Sequence, residues 1–132
     1  MARNILITGA CGGIGRALCQ AFVNAGDHVY AQDREAAQLD ALVEQLGSDK
    51  CTAVLADITD ANQLKQALGL AVAAHGEVHV LVANAGAAQA LTLQSTTEES
   101  WKQDMDLNLN GTSHTVEAVR PAMHAAGTGN IV

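Results

Sequence analysis

Apolar residues along the chain follow two patterns, short and nearly continuous runs and longer stretches in which only one helical face is apolar. The continuous runs are typical of strands that are buried on both sides. They cover Ile5–Ile7, Val29–Ala31, Thr52–Ala56, Val78–Ala83 and Asn130–Val132. The stretches between them carry apolar residues at helical spacing, as at Leu64, Leu68 and Ala71. Strands and helices that alternate in this order predict an α/β fold whose parallel sheet is covered by helices on both faces.

Glycines and capping residues mark the ends of the predicted helices. Gly26, Gly47 and Gly76 follow the first three helical patterns and are expected to terminate them. Asp60 or Thr59 can cap the third helix. No linker or internal repeat interrupts residues 1–132, so the arrangement predicts one domain with a doubly wound, Rossmann-type sheet.

The fourth helical pattern is the longest and carries three specific expectations. Thr96 and Glu99 have the spacing of a capping box at its start. Pro121 lies within the pattern, so we expect a kink or an early end near Arg120. Asn108 lies on the apolar stripe of this helix, which favours a buried and hydrogen-bonded side chain.

A glycine-rich turn joins the first strand to the first helix and spans Thr8–Gly15. A strand that breaks at glycine and continues directly into a helix aims backbone N–H groups and the positive end of a helix dipole at one point. A pyrophosphate fits that point, although a strand–helix turn that binds nothing has the same pattern. Gly9 permits the tight turn, Gly13 lets the backbone approach a phosphate, and Gly15 lets the helix lie close to the strand.

Polar residues also follow the second strand, and the carboxyl ends of parallel strands lie at one edge of a sheet. Asp33 can accept hydrogen bonds from the adenosine ribose hydroxyls of NAD and would repel the 2′-phosphate of NADP. Arg34 favours NADP, but the acid outweighs the neighbouring base, so the pair predicts NAD rather than NADP. A carboxylate that only caps a turn is the alternative interpretation of Asp33.

Together with the glycine spacing, three further motifs resemble the short-chain dehydrogenase/reductase family. They are Asp57-Ile58, Asn84-Ala85-Gly86 and Asn108-Leu109-Asn110-Gly111. The resemblance implies that Asp57 and Ile58 meet the adenine edge and that Asn84, Ala85 and Gly86 pass the nicotinamide ribose. It implies a role for Asn108 in holding a water of the proton relay. Gly12 stands where NADP-preferring relatives often carry a basic residue, which favours NAD. Taken singly, the motifs are also typical of ordinary turns and of a locally bonded helix residue.

The resemblance also implies groups that follow the fifth strand in the family. Members are about twice as long as this chain and carry a Ser after that strand and Tyr-x-x-x-Lys on the next helix. Here the sequence stops at Val132, and its single tyrosine is Tyr30. We therefore expect the amino-terminal half of an NAD-dependent oxidoreductase that acts on an alcohol or ketone, with weak or absent turnover by these residues alone. A non-catalytic nucleotide-binding or subunit-interaction module and a sugar-nucleotide epimerase-like enzyme are the alternatives.

Charge and cysteine content restrict the partners and the compartment. The formal net charge of −7 argues against nucleic acid or an anionic membrane as partner, so phosphate binding must use backbone dipoles. Three cysteines without metal-ligand spacing indicate free thiols and a cytoplasmic location, and no metal site is expected. Cys11 lies in the glycine turn and would be reactive only if the helix dipole lowered the pKa of its thiol, which the sequence does not establish. The apolar stripe of the helix that starts near Thr97 predicts a homo-oligomer.

Overall fold

The computed structural model describes residues 2–89 and 92–132. Within them, five parallel strands form one sheet in the spatial order β3-β2-β1-β4-β5. The strands are β1 (Asn4–Thr8), β2 (His28–Asp33), β3 (Cys51–Leu55), β4 (Val80–Val82) and β5 (Asn130–Ile131). The chain turns from one half of the sheet to the other between β1 and β4, so a crevice opens beyond their carboxyl ends.

Helices cover both faces of this sheet, as the alternating pattern predicts. They are α1 (Gly13–Asn24), α2 (Ala36–Leu46), α3 (Ala61–His75), α4 (Glu98–Met105) and α5 (Thr112–Ala126), with a π-helical segment (Asp106–Gly111) between the last two. The carboxylate of Asp60 caps α3 and accepts from the N–H groups of Asn62 and Gln63 at 3.1 Å each. No helix in the described parts of the chain has the length and apolar character to cross a bilayer.

Alternate residues of each central strand enter two separate core layers. Ile5 and Ile7 of β1 pack in the layer that contains buried residues of α1 and α2. Leu6 of β1 packs on the opposite face, with Val119 and Met123 of α5. Because each strand contributes to both layers, its residues are apolar in succession, which explains the continuous runs in the sequence.

In the last helical region the expected cap at Thr96 is wrong, and of the two outcomes expected at Pro121 the early end does not occur. The cap is Thr97, whose hydroxyl accepts from the Ser100 N–H at 3.1 Å while the Thr97 N–H donates to the Ser100 hydroxyl at 3.0 Å. Thr96 belongs to the preceding turn, where its hydroxyl donates to the Thr92 carbonyl. The helix also does not end near Arg120 but continues through Pro121, whose ring is exposed, to a left-handed glycine at 127. Buried contacts on either side of the proline hold the helix together.

Candidate functional site

The glycine turn makes a tight bend at the carboxyl end of β1. Gly9 has a φ of +62°, and a Cβ there would lie 2.8 Å from the Ala85 Cα. A Cβ on Gly15 would lie 2.1 Å from the Gly9 carbonyl oxygen. The turn at Gly9 and the close approach at Gly15 are therefore confirmed, and the bend requires glycine at both positions.

Helix α1 begins directly after this bend without a side-chain cap. Its N-cap is Gly12, which has no side chain to bond the free N–H groups of the first turn. Among residues 2–89 and 92–132, the N–H groups of Gly13, Ile14 and Gly15 have no acceptor outside the helix. The first N–H groups of a helix have no partner within it, and they carry the positive end of the dipole. The start of α1 can therefore accept an anion.

Asp33 ends β2 beside the bend, and the main chain holds its carboxylate. One oxygen accepts from the Cys11 N–H at 3.0 Å, and the other accepts from the Arg34 N–H at 2.8 Å. Each oxygen keeps acceptor capacity for a ligand hydroxyl. The Arg34 side chain is largely exposed, and its Nε lies 3.8 Å from a carboxylate oxygen of Glu35. An ion pair that is this long and exposed is weak, so the Arg34 side chain can move away from Glu35. The carboxylate is thus oriented before any ligand arrives.

The loop after β3 forms a second acidic wall. The Thr59 N–H and hydroxyl donate to one oxygen of Asp57 at 2.9 and 2.8 Å, and these bonds hold the pKa of Asp57 below its usual value. The Asp57 carbonyl accepts from the Asp60 N–H at 3.0 Å. Ile58 follows with its side chain only 4% exposed. This loop is a rigid turn that leads into the cap of α3.

The segment after β4 crosses over the glycine bend. The Asn84 side chain donates to the Thr8 carbonyl at 3.1 Å, and the Ala85 N–H donates to the Thr8 hydroxyl at 2.9 Å. A Cβ on Gly86 would lie 2.8 Å from the Asn108 side-chain oxygen. Small residues at 85 and 86 therefore let this segment pass between the bend and the π-helical segment.

Asn108 lies in the π-helical segment and is exposed, so the expectation of a buried side chain is wrong. Its hydrogen bonds are nevertheless made, since the side-chain amide donates to the Ala87 carbonyl at 2.6 Å and accepts from the Ala87 N–H at 3.1 Å. The amide also donates to the Asp104 carbonyl at 2.9 Å. The π-helical geometry places this position outside the core, where it clamps the end of the β4 segment.

One cavity of about 490 Å³ lies at these strand ends and is lined by all twelve residues predicted to bind the cofactor. They are Gly9, Gly12, Gly13, Ile14, Gly15, Asp33, Arg34, Asp57, Ile58, Asn84, Ala85 and Gly86. Sequence analysis missed the lining residues Gln32, Ala56, Ala87 and Leu107. The Gln32 amide donates to the Ala56 carbonyl at 2.6 Å. Its position next to Asp33 at the end of a strand was the signal in the sequence that could have placed Gln32 in the cavity wall.

The condition for a reactive Cys11, a thiol pKa lowered by the helix dipole, is not met. Burial, together with the nearby Asp33 carboxylate, raises the pKa of its thiol to about 11. Burial also raises the pKa of Cys19 to about 12 and that of Cys51 to about 11. All three cysteines are buried free thiols that pack in the core, so we assign none of them a chemical role at the glycine bend.

A parallel sheet with an uncapped helix start, a glycine bend and an acidic strand end at its switch point defines a Rossmann-type α/β fold. The family model described as short chain dehydrogenase matches residues 3–132. The chain therefore belongs to the short-chain dehydrogenase/reductase family.

Individual relatives agree with this membership. Galactitol 2-dehydrogenase (L-tagatose-forming) of Cereibacter sphaeroides is 37% identical over 126 residues, which are 96% of this chain and 49% of that protein. A crystal structure of a short chain dehydrogenase/reductase family oxidoreductase from Burkholderia thailandensis is 47% identical, with a TM-score of 0.89 over 99% of this chain and 50% of that one.

Among other similar structures, a 3-oxoacyl-[acyl-carrier protein] reductase from Brucella melitensis has NAD bound (31% identical, TM-score 0.90, 98% of this chain and 51% of that one). ElxO has NADP bound (26% identical, TM-score 0.90, 99% of this chain and 54% of that one). The family thus uses nicotinamide cofactors. The chain spans about half the length of the curated relatives that it matches.

Proposed function

We propose that this chain binds NAD and forms the cofactor-binding half of an oxidoreductase that acts on a small alcohol or ketone. NAD supplies the nicotinamide carbon that takes or gives the hydride. The observation that carries the proposal is the uncapped start of α1, whose amides open into the same cavity as the Asp33 carboxylate. The N–H groups at the start of α1 fit a pyrophosphate, and the Asp33 carboxylate fits the two hydroxyls of a ribose. Pyrophosphate and ribose are two parts of one dinucleotide.

Asp33 supports NAD over NADP. Both of its oxygens are held by main-chain N–H groups, so the carboxylate cannot turn away from a 2′-phosphate at little cost. Among the described residues, Arg34 is the one cation that lines the cavity, and its exposed guanidinium can meet a 2′-phosphate once the acid is gone. The acid therefore decides the preference for the cofactor.

The test compares Asp33→Ala with Asp40→Ala, an exposed acid of α2 whose removal changes the net charge equally. Loss of two charge-assisted hydrogen bonds to the ribose is expected to weaken NAD binding at least about tenfold. NADP binding should improve, and Asp40→Ala should change neither. Calorimetric titration of both cofactors measures these affinities. Unchanged NAD affinity and preference in Asp33→Ala would remove the proposed role of this residue.

We further propose that these 132 residues alone do not oxidise or reduce a substrate. The single tyrosine, Tyr30, is fully buried in β2, its hydroxyl donates to the Gly76 carbonyl at 2.7 Å, and burial raises its pKa to about 12. It therefore cannot serve as the proton donor of the site. Asn108 is proposed to contribute to the proton relay from its place beside Ala87. Steady NADH formation from secondary alcohols by the purified polypeptide, followed at 340 nm, would contradict the proposal of inactivity.

The outer face of α4 and of the π-helical segment that follows it favours a homo-oligomer. Trp101, Met105 and Leu109 follow one another at intervals of four residues and are 63%, 38% and 57% exposed. We propose that a second copy covers this face, which is tested by light scattering of the wild type and of Trp101→Glu. An oligomer that persists unchanged in Trp101→Glu, or a monomeric wild type, argues against this interface.

The free thiols support a cytoplasmic location, which remains a prediction.

A further inference from the structure

His114 lies outside the cavity but is joined to one of its walls. It is in the first turn of α5, and its Nδ1 lies 2.8 Å from the Ile58 carbonyl oxygen. A carbonyl oxygen only accepts, so Nδ1 carries the proton and donates it to this bond. The bond joins residues that are 56 positions apart in the sequence. No other side chain in the described parts of the chain bonds the Ile58 carbonyl.

The peptide unit between Ile58 and Thr59 is consequently held at both ends. Its carbonyl accepts from His114, and its N–H donates to the Asp57 carboxylate at 2.9 Å. The preceding peptide unit is held through the Asp57 carbonyl, which accepts from the Asp60 N–H at 3.0 Å. Both dihedral angles of Ile58 are therefore constrained by hydrogen bonds to neighbouring groups.

These constraints leave one main-chain group of the turn for a ligand. In residues 2–89 and 92–132 the Ile58 N–H has no acceptor, and Ile58 lines the cavity. The side chain cannot swing to redirect this N–H, because it is 4% exposed and packs against Gly111, where a Cβ would lie 2.8 Å from its Cδ1. Gly111 and His114 belong to the same stretch of helix, so one surface seats the side chain and bonds the carbonyl.

We propose that His114 is a positioning residue for the adenosine half of the cofactor, acting through the main chain of Ile58. Its Nδ1–H fixes the Ile58–Thr59 peptide plane, which adjoins the plane that carries the Ile58 N–H. With the Ile58 side chain seated against Gly111, this anchor limits rotation at Ile58 and so helps to keep its N–H directed toward the adenine edge. The inference rests on the proposed function, because it requires adenosine to bind at Asp57 and Ile58. It extends that function by assigning part of the adenine affinity to a helix on the far side of the wall.

The test compares His114→Leu with His114→Asn. An asparagine amide can place its N–H close to the position of Nδ1 and donate to the same carbonyl, whereas leucine cannot donate. The ligands are AMP, which carries adenine, and nicotinamide mononucleotide, which does not. Affinities are measured by calorimetry or by titration of amide NMR signals, with urea unfolding of each variant as a control for folding. His114→Ala replaces the leucine variant if that variant does not fold.

Loss of one hydrogen bond at the wall should weaken AMP binding about three- to tenfold in His114→Leu. Nicotinamide mononucleotide binding should stay unchanged, and His114→Asn should retain most of the AMP affinity. Equal losses for both ligands, equal losses in both variants, or no loss would overturn the inference while the proposed function stands. A wild type that binds neither AMP nor NAD would overturn the proposed function and this inference with it. The ¹⁵N shifts of the His114 ring must also show protonated Nδ1 in the free protein.

Discussion

Replacing Gly15 by alanine tests the contact on which the glycine bend depends. The new Cβ would lie 2.1 Å from the Gly9 carbonyl oxygen and 2.8 Å from the Ala10 Cα, whereas non-bonded heavy atoms prefer about 3.5–4.0 Å. Both contacts are to the main chain, so the bend or the helix must retreat by more than about 1 Å. Overpacking of this kind costs about 3 kcal/mol at the upper end of its usual range. Alanine regains about 1 kcal/mol over glycine in a helix.

The net loss of about 2 kcal/mol corresponds to a decrease in Tm of roughly 8 °C for a domain of this size. The matched control is Gly13→Ala, because a Cβ on Gly13 would meet nothing within 4 Å among the described residues outside its own turn of helix. That variant should fold with stability equal to the wild type or up to about 1 kcal/mol higher. It should nevertheless lose NAD affinity, since its methyl group enters the cavity where we propose the pyrophosphate. Urea and thermal unfolding measure the first effect and calorimetry the second. If Gly15→Ala melts with the wild type, the close approach of α1 to the bend does not exist.

Three further predictions concern stability and thiol chemistry. Asp60→Ala should lower the free energy of unfolding by about 1 kcal/mol because it removes the cap of α3; Glu35→Ala, at a cap position that makes no such bond, should have little effect in the same urea titration. Burial and the His75 ring, stacked at 4.5 Å, lower the pKa of His28 in the folded protein. The neutral His28 ring therefore contributes fully to stability above about pH 6.5, and this contribution is lost as the pH falls through the folded-state pKa. His28→Gln should flatten the pH dependence of unfolding below pH 6.5, and an unchanged slope would contradict the assignment. Cys11, Cys19 and Cys51 should react with a disulfide reagent at pH 8 only slowly in the folded protein and rapidly in urea, and a fast native phase for Cys11 would contradict its burial.

The strands and the gathering of the cavity residues could be predicted from the sequence because they depend on local patterns. A strand buried on both faces must be apolar at successive positions, and Ile5, Leu6 and Ile7 are fully buried. Asp33 ends β2 and Asp57 lies in the loop directly after the neighbouring parallel strand β3, so the topology alone brings them to one edge. The role of Gly15 likewise follows from a strand that turns directly into a helix.

Other features depend on contacts between distant residues and leave no local pattern. His114 bonds Ile58 only because α5 crosses the loop after β3, and no spacing along the chain indicates that crossing. The true cap, Thr97, was missed because Ser100 replaces the acid of the usual capping box. Asn108 was expected in the core because its position was counted at 3.6 residues per turn, and the π-helical segment breaks that count.

The π-helical segment affects how the sequence of the helical region from α4 to α5 can evolve. A π-helical turn is equivalent to one residue added to an α-helix, which rotates everything beyond it by about 100°. A stripe that is continuous in sequence is thereby divided, so that Trp101 and Met105 look outward while Val119 and Met123 look into the core. The two halves can therefore accumulate substitutions independently, the outer one under the association that we propose and the inner one under folding, whereas a single deletion between them would bring both back into phase.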